Sequence, residues 1–221
     1  GKLVIVSGQG AGRPAVVRLD PDWLGETSAA DGFATGAASA GFADGLDQWT
    51  LYGADGMTVA ADPDRPARKV LSVGGPAAAV WNFPAGAAGT VTVRLRATAA
   101  GKGAVLALTD HFSVSADAKA EEHAVFVAAA PAGDPGAWHD VTLTWTADGP
   151  AAVTVDGKAT APAPRKRAAG NGVGYLRVRA ADPAAGVRVA GVWADVTPPG
   201  VAAAPPAPGW SAVKRRGPGA G

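Results

Sequence analysis

Arginines recur at alternate positions in two strand-like segments of the chain. Arg94 and Arg96 are separated by one residue, as are Tyr175, Arg177 and Arg179. Because successive side chains of a β-strand point to opposite faces, each set would line one face of its strand. A guanidinium pairs with a carboxylate through two hydrogen bonds, so two such strands side by side would form a groove suited to acidic sugars. The alternative is a solvated polar face, which we favour because arginine is common on exposed strands.

A second polar cluster, TDHF at residues 109–112, follows a strand-like segment. Asp110 could orient His111, and histidine can act as an acid, a base or a metal ligand. A catalytic or metal site would need a third partner, which the local sequence does not supply. We therefore favour a histidine that is hydrogen-bonded within its own loop or packed against a neighbouring domain, and we keep both residues as candidate ligand contacts.

The patterns of the common hydrolytic sites are absent from the sequence. Glycoside cleavage needs two carboxylates that flank the scissile bond, and the nearest alternation, Asp117, Lys119 and Glu121, lies in a loop-like segment. The glycines of residues 8–12 are followed by a proline and another strand, whereas dinucleotide binding requires a helix there. The sequence also has no D-x-D-x-D-G calcium run. We predict no catalytic residue, no cofactor and no metal within this chain.

Composition narrows the classes of partner. The 221 residues are 48% hydrophobic and have a formal net charge of +1, so they offer no basic excess for nucleic acid or an anionic membrane. The chain has no cysteine, which excludes a disulfide framework and cysteine metal sites. The apolar run at residues 124–130 ends at Pro131, far short of the ~20 residues that a membrane span requires.

Short apolar runs with turn signals between them predict an all-β, antiparallel sandwich. The clearest alternation occurs at residues 91–96 and 141–146, where one face is apolar and the other polar. A hairpin is predicted from residues 3–6 and 15–19, and one helical turn at residues 20–24. The remaining strands are predicted at residues 49–52, 57–60, 69–73, 78–83, 90–98, 104–109, 123–128, 139–146, 152–155, 174–179 and 187–196.

Several of these segments resemble a known family when they are read in order. The sequences WHDVTLTW (138–145), VTVDGK (153–158) and GYLRV (174–178), with FADGLDQW (42–49) at the start, resemble the concanavalin A-like and laminin G-like jelly roll. Asp-Gly within the second segment supplies the positive φ angles of a two-residue hairpin turn. The resemblance covers residues 42–196. The tryptophans of this span, Trp81, Trp138, Trp145 and Trp193, are expected to be core residues, and the alternative is that one of them is an exposed platform for a sugar ring.

The segment before the sandwich resembles a different architecture. Residues 2–24 are similar to the last strands of a β-propeller, although the Asp-box S-x-D-x-G-x-x-W is missing. The order of propeller strand, linker and lectin-like module is similar to the C-terminal part of exported sialidase-like glycosidases. The expected organisation is terminal strands of a truncated upstream domain at 1–24, a linker at 25–41, the sandwich at 42–196 and a disordered Pro/Ala/Gly-rich tail at 197–221.

Three functions remain open at this point. The first is a non-catalytic, carbohydrate-binding ancillary module of a larger, secreted, sialidase-like enzyme, whose catalytic groups would lie upstream of Gly1. The second is a purely structural sandwich that packs on the upstream domain. The third is a stand-alone glycosidase or polysaccharide lyase, which the missing carboxylate pair disfavours. The expected partners are the upstream domain and a glycan, with no nucleic acid and no membrane.

Overall fold

The computed structural model describes residues 3–7, 15–19, 37–43, 46, 49–51, 56–99, 103–117, 119–130, 134 and 136–197. Within these ranges the regular structure is β-strand, and none of it forms a helix long and apolar enough to cross a membrane. The strands are β1 Leu3–Ser7, β2 Ala15–Leu19, β3 Ala37–Ala40, β4 Trp49–Thr50, β5 Met57–Ala61, β6 Lys69–Gly74, β7 Ala79–Gly86, β8 Ala88–Ala97, β9 Ala104–Thr109, β10 Phe126–Ala130, β11 His139–Trp145, β12 Ala152–Val155, β13 Lys158–Ala159, β14 Val173–Ala180 and β15 Gly186–Thr197.

The strands from β3 onward form two antiparallel sheets that face each other. The smaller sheet has five strands in the order β10-β9-β14-β7-β4. The larger has eight, in the order β13-β12-β11-β8-β15-β6-β5, with β3 paired beside the second half of β15. The predicted all-β sandwich is confirmed. Strands β1 and β2 form the predicted antiparallel hairpin as a separate two-stranded sheet.

The core lies between the two sheets and contains the apolar half of each alternation. Val91, Val93 and Leu95 of β8 and Leu176 and Val178 of β14 are fully buried there, as period-two patterning requires. A row of aromatic rings runs through the core with centroids 5.3 to 6.4 Å apart, formed by Phe42, Trp49, Trp81, Phe83 and Trp145. Such tilted contacts add to the area that these large rings bury.

The turn between β12 and β13 has the conformation that Asp-Gly predicts. Asp156 and Gly157 have φ angles of 51° and 77°, which match a two-residue turn between twisted strands. Asp156 also accepts hydrogen bonds from His139 Nδ1 at 2.7 Å and from the Asp140 amide at 2.9 Å. The hydrogen bond from His139, together with that from the Asp140 amide, lowers the pKa of Asp156. The turn is thereby attached to the start of β11.

Three features differ from the sequence prediction. Strand β3 lies inside the span predicted as a linker and pairs with β15. It was not predicted because its residues are small and show no hydrophobic alternation. The strand predicted at 123–128 instead begins at Phe126, after a series of turns. The short β13 was not predicted. The predicted helical turn at 20–24, residues 25–36 of the linker and the tail from residue 198 onward lie outside the described residues.

A bulge in β15 reverses which of its residues face the core. Val187 and Val189 are buried on one side of the bulge, and Val192, Ala194 and Val196 on the other. The register shift lies between Val189 and Gly191. Because the side-chain period of a strand is two, one extra residue exchanges the two faces. Odd-numbered positions beyond the bulge therefore point outward.

Candidate functional site

The two arginine-bearing strands belong to different sheets. Strand β8, with Arg94 and Arg96, lies in the larger sheet, and β14, with Tyr175 and Arg177, lies in the smaller one. In both strands the intervening residues face the core, so these polar side chains point to opposite outer faces of the sandwich. The single groove that would have combined these residues and Arg179 therefore does not form.

Arg177 is a buried structural cation. It is only 3% exposed and donates to Ser113 Oγ at 2.7 Å, the Val114 carbonyl at 3.0 Å and the Asp117 carbonyl at 3.1 Å. Burial lowers the pKa of the Arg177 guanidinium from its ordinary value. These contacts hold the loop after β9 against the outer face of the smaller sheet. Both terminal nitrogens of the guanidinium are engaged by protein groups, whereas its buried Nε has no hydrogen-bond partner within the described part of the chain.

The neighbours of Arg177 on β14 are also engaged with the same loop region. Arg179 pairs with Glu121 through two hydrogen bonds, of which Nη2 to Oε2 measures 2.8 Å. The ring of Tyr175 meets that of Phe112 edge-on at a centroid distance of 6.2 Å. The loop after β9 thus covers this part of the outer face of the smaller sheet, and Phe112 of that loop is 50% exposed to solvent.

The Asp110–His111 pair has a third partner that the sequence did not reveal. His111 Nδ1 lies 2.7 Å from Asp110 Oδ1, and Arg167 binds both oxygens of Asp110, with Nη1 to Oδ2 at 2.9 Å. Arg167 also donates to the His123 carbonyl at 2.6 Å. Partial burial raises the pKa of Asp110, but the hydrogen bonds from Arg167 and His111 outweigh it and lower the pKa below its ordinary value. These hydrogen bonds connect the segment that contains Arg167 to the loop that follows β9.

The outer face of the larger sheet bears a ladder of polar pairs between β8 and β11. Thr90 and Thr92 are hydrogen-bonded to Thr144 and Thr142, at 3.1 and 2.9 Å. Arg94 continues this ladder, with Nη1 3.2 Å from each oxygen of Asp140. These are directly opposed cross-strand neighbours, the arrangement in which side-chain pairs stabilise a sheet.

Arg96 ends the ladder in a different way. It is 8% exposed, and its Nη1 donates to Asp64 Oδ2 at 2.8 Å and to the Gly136 carbonyl at 3.0 Å. Its guanidinium lies 5.2 Å from the ring centroid of Trp138, within the range of a cation–π contact. Trp138 Nε1 donates to the same Asp64 oxygen at 3.1 Å. The orientation of Trp138 is therefore fixed from two sides.

A cleft of about 420 Å³ opens beside this group on the larger sheet. Trp138 and Trp193 contribute aromatic surface, and Trp193 is 47% exposed. The prediction that Trp193 belongs to the core is wrong, because the β15 bulge turns this odd-numbered residue outward. Trp138 is half-buried at the surface, whereas Trp81 and Trp145 are buried as predicted. The other lining residues are Asp62, Asp64, Arg65, Arg68, Arg94 and Ala190.

The loop between β5 and β6 forms one rim of the cleft. Asp62 Oδ1 accepts the Asp64 amide at 2.9 Å, the Asp62 amide donates to the Arg68 carbonyl at 2.8 Å, and the Arg68 amide donates to the Arg65 carbonyl at 2.8 Å. An aspartate that accepts the amide two residues later is a frequent turn-forming device. The loop therefore has a defined backbone, and its two arginines are presented from fixed positions.

Solved structures of other proteins resemble the sandwich. A sialidase structure aligns with 74% of this chain at 17% identity and a TM-score of 0.53, and the match spans 19% of that sialidase chain. The globular domain of T. cruzi calreticulin aligns with 72% of this chain and 87% of that domain, at 11% identity and a TM-score of 0.51. The fold is a concanavalin A-like jelly roll. No protein-family model and no curated protein matches the sequence.

The predicted resemblance to the concanavalin A-like jelly roll is thus confirmed at the level of the fold. At these identities the likeness of the jelly roll to the sialidase and calreticulin structures describes the fold alone. Among the candidate ligand contacts, Arg94 lines the cleft, Arg96 supports it from behind, and Asp110, His111, Tyr175 and Arg177 lie elsewhere. The sequence analysis favoured the core over the surface for Trp193, and the lining residues that it did not single out are Asp62, Asp64, Arg65, Arg68 and Ala190.

Proposed function

We propose that this jelly roll is a non-catalytic, carbohydrate-binding module of a larger, secreted, glycoside-active protein, and that it binds sugar in the cleft at Trp193. The observation that carries the proposal is the exposed indole of Trp193 beside Trp138 in one cleft. Ligand sites combine aromatic surface with a few fixed polar groups, and this cleft has both. A pyranose ring has one apolar face that can cover an indole while its hydroxyls reach the polar rim.

The fixed orientation of Trp138 supports a binding role. Asp64 and Arg96 hold its ring through one hydrogen bond and one cation–π contact. A side chain that is already ordered loses little entropy when a ligand binds, so more of the contact energy is retained as affinity. The polar residues of the cleft also lie on sheet strands or on the hydrogen-bonded loop between β5 and β6, so the backbone that supports the cleft is well ordered.

The carboxylates of the cleft favour binding over catalysis. Glycoside hydrolysis requires an acid and a base or nucleophile on opposite sides of the scissile bond. Asp62 is only 4% exposed and accepts a backbone amide of its own turn, while Asp64 is engaged by Arg96 and Trp138. The two carboxylates therefore do not form the exposed pair that glycoside hydrolysis requires. The proposal therefore assigns chemistry to another part of the parent protein, for which the short match to a sialidase is a supporting analogy.

The proposal is tested by affinity gel electrophoresis of the full chain against a panel of neutral and acidic polysaccharides, with the Trp193→Ala variant beside it. We expect wild-type retardation by at least one polysaccharide and a loss of about tenfold or more in affinity for the variant, as expected when a central aromatic contact is removed. Phe112→Ala is the matched control, because Phe112 is similarly exposed but lies on the outer face of the smaller sheet, against Tyr175. Its binding should be unchanged.

Two results would contradict the proposal. If no polysaccharide retards the wild-type chain, the alternative of a purely structural sandwich is favoured. If Phe112→Ala abolishes retardation and Trp193→Ala does not, the module binds sugar at a different surface.

A further inference from the structure

The arginines around the cleft differ in whether they are neutralised. Arg94 is paired with Asp140, and Arg96 is paired with Asp64. Arg65 and Arg68 are exposed, and neither has an acidic partner within the described part of the chain. The acids nearest to them in sequence are Asp64, whose half-exposed carboxylate pairs with Arg96, and Asp62, which is buried and turned toward the Asp64 amide. The loop that forms the rim therefore has two unpaired guanidiniums, one buried carboxylate and one carboxylate that Arg96 already neutralises.

Arg65 and Arg68 are well placed to act on the same ligand. Both belong to the hydrogen-bonded loop between β5 and β6, where the Arg68 amide donates to the Arg65 carbonyl at 2.8 Å. Both line the cleft that contains Trp193. Pro63 and Pro66 lie in the same loop and fix two of its φ angles. The two like charges are thus kept near each other by the backbone rather than by an intervening acid.

We propose that the cleft is selective for sugars that bear a carboxylate, with Arg65 and Arg68 contacting the carboxylate while the sugar ring packs on Trp193. This inference rests on the proposed function and specifies its ligand class. Guanidinium forks bind carboxylates through strong, charge-assisted hydrogen bonds. Two unpaired cations at a cleft also raise the local concentration of anionic ligands. A neutral sugar would use neither property.

Arg94 has a different role in this scheme. Its guanidinium faces both oxygens of Asp140 at 3.2 Å, so a ligand carboxylate would have to displace an existing partner. Arg94 therefore forms the cleft wall, and Arg65 and Arg68 determine specificity.

Isothermal titration tests the inference with three acidic probes, each beside a neutral counterpart: oligogalacturonate and its methyl ester, a glucuronate-containing hexasaccharide and its methyl ester, and sialyllactose and lactose. We expect the full chain to bind at least one acidic probe about tenfold or more tightly than the matching neutral sugar. This preference should decrease as the salt concentration rises. The variant Arg65→Ala/Arg68→Ala should lose this preference and retain residual binding. Trp193→Ala should weaken the acidic and the neutral form together.

The outcomes separate this inference from the function on which it rests. Equal binding of acidic and neutral forms overturns the carboxylate selectivity and leaves a carbohydrate-binding module. An undiminished preference in the double variant overturns the role of the two arginines. Failure to bind any polysaccharide in the gel panel overturns both. Because Arg65 and Arg68 are exposed, an unchanged thermal midpoint of the double variant confirms that it is folded.

Discussion

The guanidinium of Arg96 lies 5.2 Å over the ring of Trp138, and both side chains donate to a single oxygen of Asp64. The three residues come from a strand, a loop and the segment before β11, so one carboxylate connects three parts of the larger sheet. The arrangement orders Trp138 at the cleft and neutralises a nearly buried cation. It is therefore important both for stability and for the shape of the proposed binding site.

Removing Asp64 should destabilise the fold more than removing Asp140. In Asp64→Ala the buried Arg96 loses its charged partner and keeps one hydrogen-bond acceptor, the Gly136 carbonyl, and we expect a loss of about 1–3 kcal/mol in the free energy of unfolding. Asp140→Ala breaks a half-exposed pair and should cost ~0–1 kcal/mol. Urea unfolding of both variants measures the difference. Asp64→Asn, which retains an acceptor, should recover part of the loss, and equal effects at the two positions would refute this account.

Replacing Arg177 should release the loop that follows β9. Arg177→Met leaves the Ser113 hydroxyl and the carbonyls of Val114 and Asp117 without their donor, so we expect a loss of ~2–4 kcal/mol. Amide hydrogen exchange should accelerate at residues 113–117. Arg188→Met is the control, because Arg188 is a half-buried strand arginine of the other sheet. Unchanged exchange in the Arg177 variant would show that other contacts order the loop.

The alternation of apolar residues predicted which side of a strand is buried but could not predict which strands are neighbours. Arg94 and Arg177 were both placed correctly on polar faces, yet those faces belong to different sheets. Pairing in a sandwich depends on long-range connections, and no residue in a strand encodes its partner locally. Arg167 was missed for the same reason, since it lies in an unpatterned segment and meets Asp110 from 57 positions away.

Trp193 was misplaced for a local reason. Counting alternate residues from Val187 and Val189 places position 193 in the core, but the bulge before Gly191 inverts the count. A glycine within an otherwise regular strand often marks such a bulge, so Gly191 was the signal that could have corrected the prediction. The core residues of β8 and β11 were predicted correctly because those strands pair without a register shift.

Acid should remove a stabilising contribution of Asp110. Its pKa in the folded state is lowered from the ordinary value of 3.8, so the folded state favours the ionised form. The contribution is therefore complete above pH 3.8 and is lost as the pH falls through the lower folded-state pKa. Compared with wild type, Asp110→Asn should show a weaker decline of unfolding free energy below that pH. Parallel pH profiles for the two proteins would refute the linkage.

Two glycines with the same backbone conformation should respond differently to alanine. Gly172 and Gly149 have φ angles of +80° and +86°, so a side chain strains either position by about 1–2 kcal/mol. A Cβ at Gly172 would also lie 2.7 Å from the Gly86 backbone, whereas one at Gly149 meets nothing within 4 Å. Rigid backbone contact adds to the strain, because the neighbouring atoms cannot rotate away.

Gly172→Ala should therefore destabilise the sandwich by about 1–3 kcal/mol more than Gly149→Ala, as for other overpacked sites. Gly172 comes directly before β14, and Gly86 is the last residue of β7, its partner in the smaller sheet. The clash therefore acts where two core strands begin to pair, while Gly149 lies in a surface turn. Thermal unfolding of the two variants measures the difference. Similar midpoints would mean that the two strand ends separate at little cost and that the close backbone approach does not contribute to the stability of the sheet.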